Sequence, residues 1–148
     1  MSDTMTGGCQ CRRVRYSVLV EDDDAYLCHC RMCQHATGGV SIAFKSVKIA
    51  DVTWEQQPER YQSSPIAQRG FCATCGTPLT FEFLKPGERM DLTVGGFDDP
   101  YRFKPTSHCS PETWHADWLD TRGLTEHRLD ENPATRDRWI EAIGKLPD

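Results

Sequence analysis

Seven of the eight cysteines in this chain of 148 residues fall in three short clusters. They are Cys9-Gln10-Cys11, Cys28-His29-Cys30-Arg31-Met32-Cys33 and Cys72-Ala73-Thr74-Cys75, with Cys109 alone. Closely spaced thiols on a turn direct two sulfurs at one ion, and zinc prefers thiolates at about 2.3 Å in a tetrahedron. Cys72-Ala73-Thr74-Cys75-Gly76 has the form of a zinc knuckle. Its turn lets amides face the thiolates, and Gly76 permits a positive φ after the second sulfur.

A knuckle brings two ligands, and a structural zinc needs four. Joining Cys72 and Cys75 to all three middle cysteines would give one sulfur too many. Joining them to Cys9 and Cys11 gives a closed site of four thiolates. Cys28, Cys30 and Cys33 then remain as three ligands with one open position, the arrangement of a catalytic zinc. The expected cofactor is therefore Zn²⁺, two per chain, the second labile.

Other readings of the same cysteines remain open. Eight cysteines allow 105 disulfide pairings. They are about 5% of the chain, below the ~8–10% of small disulfide scaffolds. Cys30/Cys33 or Cys72/Cys75 could form a redox pair, although no βαβ pattern accompanies them. Both zincs could be structural, with His29 or His35 as a fourth ligand. Cys109 reads as a small buried apolar residue.

The N-terminus, Met1-Ser2-Asp3-Thr4, has no basic start and no apolar run, so no secretory signal is expected. No apolar stretch is long enough to span a membrane. The expected setting is the cytoplasm, where thiols stay reduced. The formal net charge of −5 argues against a nucleic-acid surface.

The remaining pattern is that of many short strands. Val14, Tyr16, Val18 and Val20 alternate with polar residues, the period of a half-buried strand over 13–20. An acidic turn follows at 21–24, then a short strand over 25–28. Cys30 to His35 reads as a helical turn ending at Gly38-Gly39. Strands are expected over 40–44 and, more weakly, 47–54. Glu59–Gln62 and Ile66–Phe71 flank a Ser63-Ser64-Pro65 turn. Further strands are expected over 77–84 and 90–94, separated by a turn at Lys85-Pro86-Gly87-Glu88. Residues 95–119 read as irregular and aromatic. Asn132-Pro133 resembles an N-cap followed by proline at the first helical position, and Trp139, Ile140, Ile143 and Leu146 continue at helical spacing over about 133–145. The expected fold class is mainly β with a C-terminal amphipathic helix, one domain over 1–148 with its core at about 6–118.

Gly8-Cys9-Gln10-Cys11, the middle cluster followed by Gly38, and Phe71-Cys72-Ala73-Thr74-Cys75-Gly76-Thr77, in that order, resemble the glutathione-dependent formaldehyde-activating enzyme family, also called the CENP-V/GFA domain. The resemblance implies a folded β "tent" stapled by zinc. It implies a structural zinc on Cys9, Cys11, Cys72 and Cys75, and a catalytic zinc on Cys28, Cys30 and Cys33. His108, Trp114 and Trp118 are similar to a family stretch of recurring His and Trp. Arg12 departs from the family, which often has glycine there.

The implied activity is that of a carbon-sulfur lyase. A thiol, glutathione by family default, adds to a small aldehyde such as formaldehyde to give an S-(hydroxyalkyl) adduct. Zinc would lower the pKa of a thiol in the open position. Arg31, Lys45, Arg69 and the Gly38-Gly39 amides are candidates for the two carboxylates of glutathione, and His29 and His35 for a general base. The competing reading is a non-catalytic zinc-binding module for a protein partner.

Overall fold

The structure, a computed structural model, describes residues 2–85 and 87–147. It is mainly β. Ten strands are joined in two sheets: β1 (Asp3–Gly8), β2 (Arg15–Val20), β3 (Asp24–Cys28), β4 (Ile42–Lys48), β5 (Val52–Trp54), β6 (Glu59–Gln62), β7 (Ala67–Phe71), β8 (Pro78–Phe83), β9 (Arg89–Thr93) and β10 (Lys104–Cys109). One sheet has the order β1-β2-β5 and the other β10-β3-β4-β9-β8-β7-β6. All strand pairs are antiparallel except β10 with β3. Helix α1 (Arg31–Thr37) connects β3 to β4.

The alternation of β2 sets the core. Val14, Tyr16, Val18 and Val20 are all buried, and the last three pack with Val47 of β4, Met90 and Leu92 of β9, and Phe97 and Phe103. Each such side chain contributes roughly 1.5–3 kcal/mol on burial. Two smaller clusters hold the cysteines: Cys9 and Cys72 with Val14 and Leu79, and Cys28 and Cys33 with Phe44.

Two strands lie where no strand is expected. The first is β1, which pairs with β2 from Asp3↔Val20 to Gly8↔Arg15. A side chain at Gly7 would collide with the Tyr16 hydroxyl at 2.4 Å, so glycine lets that ring close over the strand. The second is β10, whose residues are mostly exposed and which lies at a sheet edge. A strand without an apolar face leaves no period in the sequence. The weak strand over 47–54 divides into the end of β4, a 3₁₀ turn at Ile49–Asp51, and β5. Pro86, within the turn expected at 85–88, lies outside the described residues.

The chain divides into two compact units, one up to His115 and one from Ala116 onward. The second unit holds α2 (Ala116–Leu119) and α3 (Pro133–Ile143). Pro133 opens α3 as expected, but the Asn132 side chain makes no capping bond; its carbonyl accepts from the Arg136 amide at 2.8 Å. Every residue of α3 is at least partly exposed, Trp139, Ile140 and Ile143 included.

Candidate metal centres

The first centre is built from two turns. At the end of β1 the Cys9 amide donates to Val14 O at 3.0 Å, and the Arg12 amide to Cys9 O at 3.0 Å. The Val14 amide donates to Cys9 Sγ at 3.2 Å. Arg12 adopts a left-handed φ of 66°, the conformation that favours glycine. After β7, the Gly76 amide donates to Cys72 O at 2.7 Å and the Cys72 amide to Thr77 O at 3.0 Å. Gly76 has φ 78°.

Thr77 joins the two turns. Its hydroxyl accepts from the Gln10 amide at 3.1 Å and lies 3.1 Å from Cys75 Sγ. Arg13 pairs with Glu59, which accepts from the Ala73 amide at 3.0 Å, tying the turns together a second time.

The sulfurs of Cys9, Cys11, Cys72 and Cys75 all lie within 4.8 Å of one another. Cys9–Cys11 is 3.5 Å and Cys11–Cys72 is 3.7 Å. A tetrahedron with zinc–sulfur bonds of 2.3 Å has edges of about 3.8 Å, so four thiolates here fit that ion. The surroundings favour ionisation of Cys75 and Cys72 but not of Cys11, where the Arg13 amide lowers the thiol and burial with the Cys9, Cys75 and Cys72 thiols pushes it up to about 11. The Thr77 hydroxyl and the Cys11 and Thr77 amides pull the Cys75 thiol down to about 5. Burial opposes ionisation of Cys72, but the Cys75 amide and the Arg13 side chain outweigh it and hold the thiol below its ordinary range.

The second centre spans a strand end and a helix start. Cys28 closes β3, Cys30 is the N-cap of α1, and Cys33 lies in its first turn. The Cys33 amide donates to Cys30 Sγ at 3.3 Å, so a thiol takes the place of the usual capping hydroxyl. The three sulfurs lie within 4.8 Å of one another, and Cys28 and Cys33 are 3.5 Å apart. Among the described residues no fourth His, Cys, Asp or Glu joins this cluster. Its hydrogen bond to Cys28 and the Arg69 guanidinium lower the Cys33 thiol, whereas the bond to Cys33 and burial raise that of Cys28.

Behind the second centre lies a ring cluster. His29 is fully buried, with Nε2 2.8 Å from Nδ1 of His108, and Trp114 meets both rings edge-on at 5.4 and 4.8 Å. The His29 carbonyl accepts from Gln34 Nε2 at 2.8 Å and Thr113 Oγ1 at 2.9 Å. Burial, then the neighbouring His108, lowers the His29 pKa. His35 is exposed, with Nε2 3.2 Å from an Arg31 nitrogen.

Of the five groups expected to meet carboxylates, four are engaged elsewhere. Lys45 is buried against Asp22 and the Asp24 carbonyl. Its neighbour Phe44 packs on Cys28 and Cys33, and successive strand residues face opposite ways. Arg31 bonds within α1 to Gln34 and His35. The Gly38 amide donates to Gln34 O at 2.8 Å, and the Gly39 amide to Thr37 Oγ1 at 3.2 Å. Arg69 alone reaches the cluster, donating through Nη2 to Cys33 Sγ at 3.3 Å.

Cys109, expected to be buried, is exposed on β10 in register with Cys28. All eight cysteines are free thiols. Sequence spacing gave no sign of Arg69 on Cys33 or of the contact between His29 and His108. Both cross long stretches of chain, and only strand pairing brings them together.

Comparison with known proteins places the fold and the family. Over 77 residues the chain is 30% identical to a Schizosaccharomyces pombe (strain 972) protein named an uncharacterized lyase, covering 52% of this chain. The match spans about half the length of that relative, 56%. The fold matches the crystal structure of a Rhodobacter sphaeroides protein with a TM-score of 0.58 at 21% identity, over 70% of this chain and 99% of that one. The family model for the glutathione-dependent formaldehyde-activating enzyme matches residues 4–116, a range that contains both centres, and the chain belongs to that family.

Proposed function

We propose that the protein is a zinc-dependent carbon-sulfur lyase that adds a thiol to a small aldehyde. Glutathione and formaldehyde are the pair the family's name supplies. In this reading Cys9, Cys11, Cys72 and Cys75 hold a structural zinc, and Cys28, Cys30 and Cys33 a labile catalytic one. The observation that carries it is the contrast between four converging sulfurs and three.

Zinc held by three thiolates would be electron-rich, with local charge −1, and suited to delivering a substrate thiol as thiolate rather than to activating water. The chain's own residues then have distinct tasks. Cys30 couples the site to α1 as its cap. Arg69 offsets negative charge at Cys33. The His29–His108–Trp114 cluster fixes the backbone between Cys28 and Cys30. His29 is buried with a lowered pKa and bonded to His108, and so serves as a positioning residue rather than an exposed base.

Two measurements test the reading. Metal analysis before and after mild chelation is expected to give close to two zinc ions per chain and then one. NMR exchange between formaldehyde and its glutathione adduct is expected to accelerate with the loaded protein. Zinc without acceleration, across other thiols and aldehydes as well, would favour the protein-binding module.

A further inference from the structure

Arg69 has a feature beyond its bond to Cys33. The side chain is 5% exposed, and its guanidinium lies 5.1 Å above the Phe81 ring. Its Nε–H is buried without an acceptor among the described residues. Leaving a buried donor unpaired is unfavourable, more so for a charged group. That nitrogen is closed to solvent, so a bound molecule would meet the guanidinium through its Nη groups.

Arg69 also lines a cavity of about 140 Å³, whose walls include Ala36, Ile42, Phe44, Tyr61 and Phe71. Three threonines line it too, but their hydroxyls are committed. Thr37 donates to Cys33 O at 2.8 Å, Thr80 to Glu82 at 3.2 Å, and Thr93 to Pro78 O at 3.0 Å. The cavity therefore combines an apolar wall with one guanidinium, which also touches Cys33 Sγ. A single water needs about 10–15 Å³ on this measure. Formaldehyde, with two heavy atoms, would leave most of the space empty.

We propose that the preferred aldehyde carries an apolar substituent, aliphatic or aromatic, that occupies this cavity while its carbonyl oxygen accepts a hydrogen bond from Arg69. The inference rests on the thiol-addition reading and names its substrate class. In the step, the thiolate sulfur bonds to the carbonyl carbon and the π pair of the C=O bond moves onto oxygen. That oxygen takes up the proton the thiol released. A guanidinium stays charged throughout, so Arg69 donates a hydrogen bond, and the bond strengthens as charge develops on the oxygen. Apolar walls favour the hydrocarbon group in proportion to the area it buries.

The test uses the zinc-loaded protein with glutathione and, in turn, formaldehyde, hexanal and benzaldehyde. The acceleration of adduct exchange is expected to be at least tenfold greater for hexanal or benzaldehyde than for formaldehyde. Ala36→Phe, which fills the cavity, is expected to lower that ratio tenfold; Ile42→Phe does the same from another wall should the first variant not fold. Arg69→Gln is expected to reduce acceleration roughly 10²–10³-fold, the scale of losing one donor to a developing oxyanion. A readout independent of turnover is the ¹⁵N–¹H resonance of Arg69 Nε. It is expected to shift saturably with benzamide, an unreactive carbonyl, and not in the filled variant. Acceleration of formaldehyde with no gain for the larger aldehydes overturns this inference and leaves thiol addition standing. No acceleration with any aldehyde overturns thiol addition and this inference together. An Nε resonance unmoved by benzamide overturns the assignment of Arg69.

Discussion

The two centres use the same donor atom in opposite ways. The first joins two turns that are 61 residues apart in sequence at Cys11 and Cys72, and Thr77 and the Arg13–Glu59 pair tie them again. The second draws three sulfurs from one stretch of six residues, on a strand end and the first turn of a seven-residue helix. A metal in the first closes a long loop and so stabilises the fold. A metal in the second spans a short loop, and one side has no protein ligand. Ligand number and loop length together are what the proposed division into a structural and a catalytic site rests on.

The sharpest way to break that contrast is a pair of substitutions. Cys72→Ser is expected to unfold the first unit, because a structural zinc contributes about 10–16 kcal/mol on its own scale, as much as a whole domain's stability. Cys30→Ser is expected to lose one zinc and keep its circular dichroism and a cooperative melt. Equal loss of structure in both variants would erase the distinction.

Acid sharpens the contrast next. Protons compete with metal once the pH falls below a ligand's pKa. Each centre holds a raised thiol, Cys11 in the first and Cys28 in the second, and a lowered one, Cys75 and Cys33, so the number of ligands, four against three, sets the order. The second centre is therefore expected to release zinc at higher pH than the first, followed with a chromophoric chelator. For the metal-free fold the sign is the same. Cys75 is depressed from 9.0 to about 5, so its contribution is complete above about 9 and is lost as pH falls through about 5. Simultaneous release of both ions would count against this order.

Two backbone changes give smaller effects, both at the first centre. Gly76 has φ 78° and open space where a side chain would stand, so Gly76→Ala is expected to cost about 1–2 kcal/mol from the backbone alone. Arg12→Gly relieves φ 66° and is expected to stabilise by up to about 1 kcal/mol, seen as a melting point a few degrees higher. A melt that falls in Arg12→Gly would show that the arginine side chain outweighs its strain.

Chain positions that bury an apolar face were legible in the sequence. The alternation from Val14 to Val20 marked β2 and the heart of the core, and the turn residues around Ser63-Ser64-Pro65 marked the hairpin of β6 and β7. Cysteine spacing suggested two groups of sulfurs. The strands that escaped notice lack the signal. β1 packs through Gly7, whose missing side chain makes room for Tyr16, and β10 has almost no buried residue. Arg69 and Lys45 looked alike as basic candidates for the carboxylates of glutathione. Each sits in its own register, and that register sends one to the thiolates and the other to Asp22.

The parallel pairing of β10 with β3 sets an order of events during synthesis. Cys75 completes the first set of sulfurs well before His108 and Cys109 leave the ribosome, and at about 5–20 residues per second that interval lasts several seconds. Through it the nascent chain can close its first centre, while Cys28, Cys30 and Cys33 are out but still lack the strand that lies beside Cys28. Under the proposed assignment, the structural ion can be acquired before the surroundings of Cys28, Cys30 and Cys33 are finished.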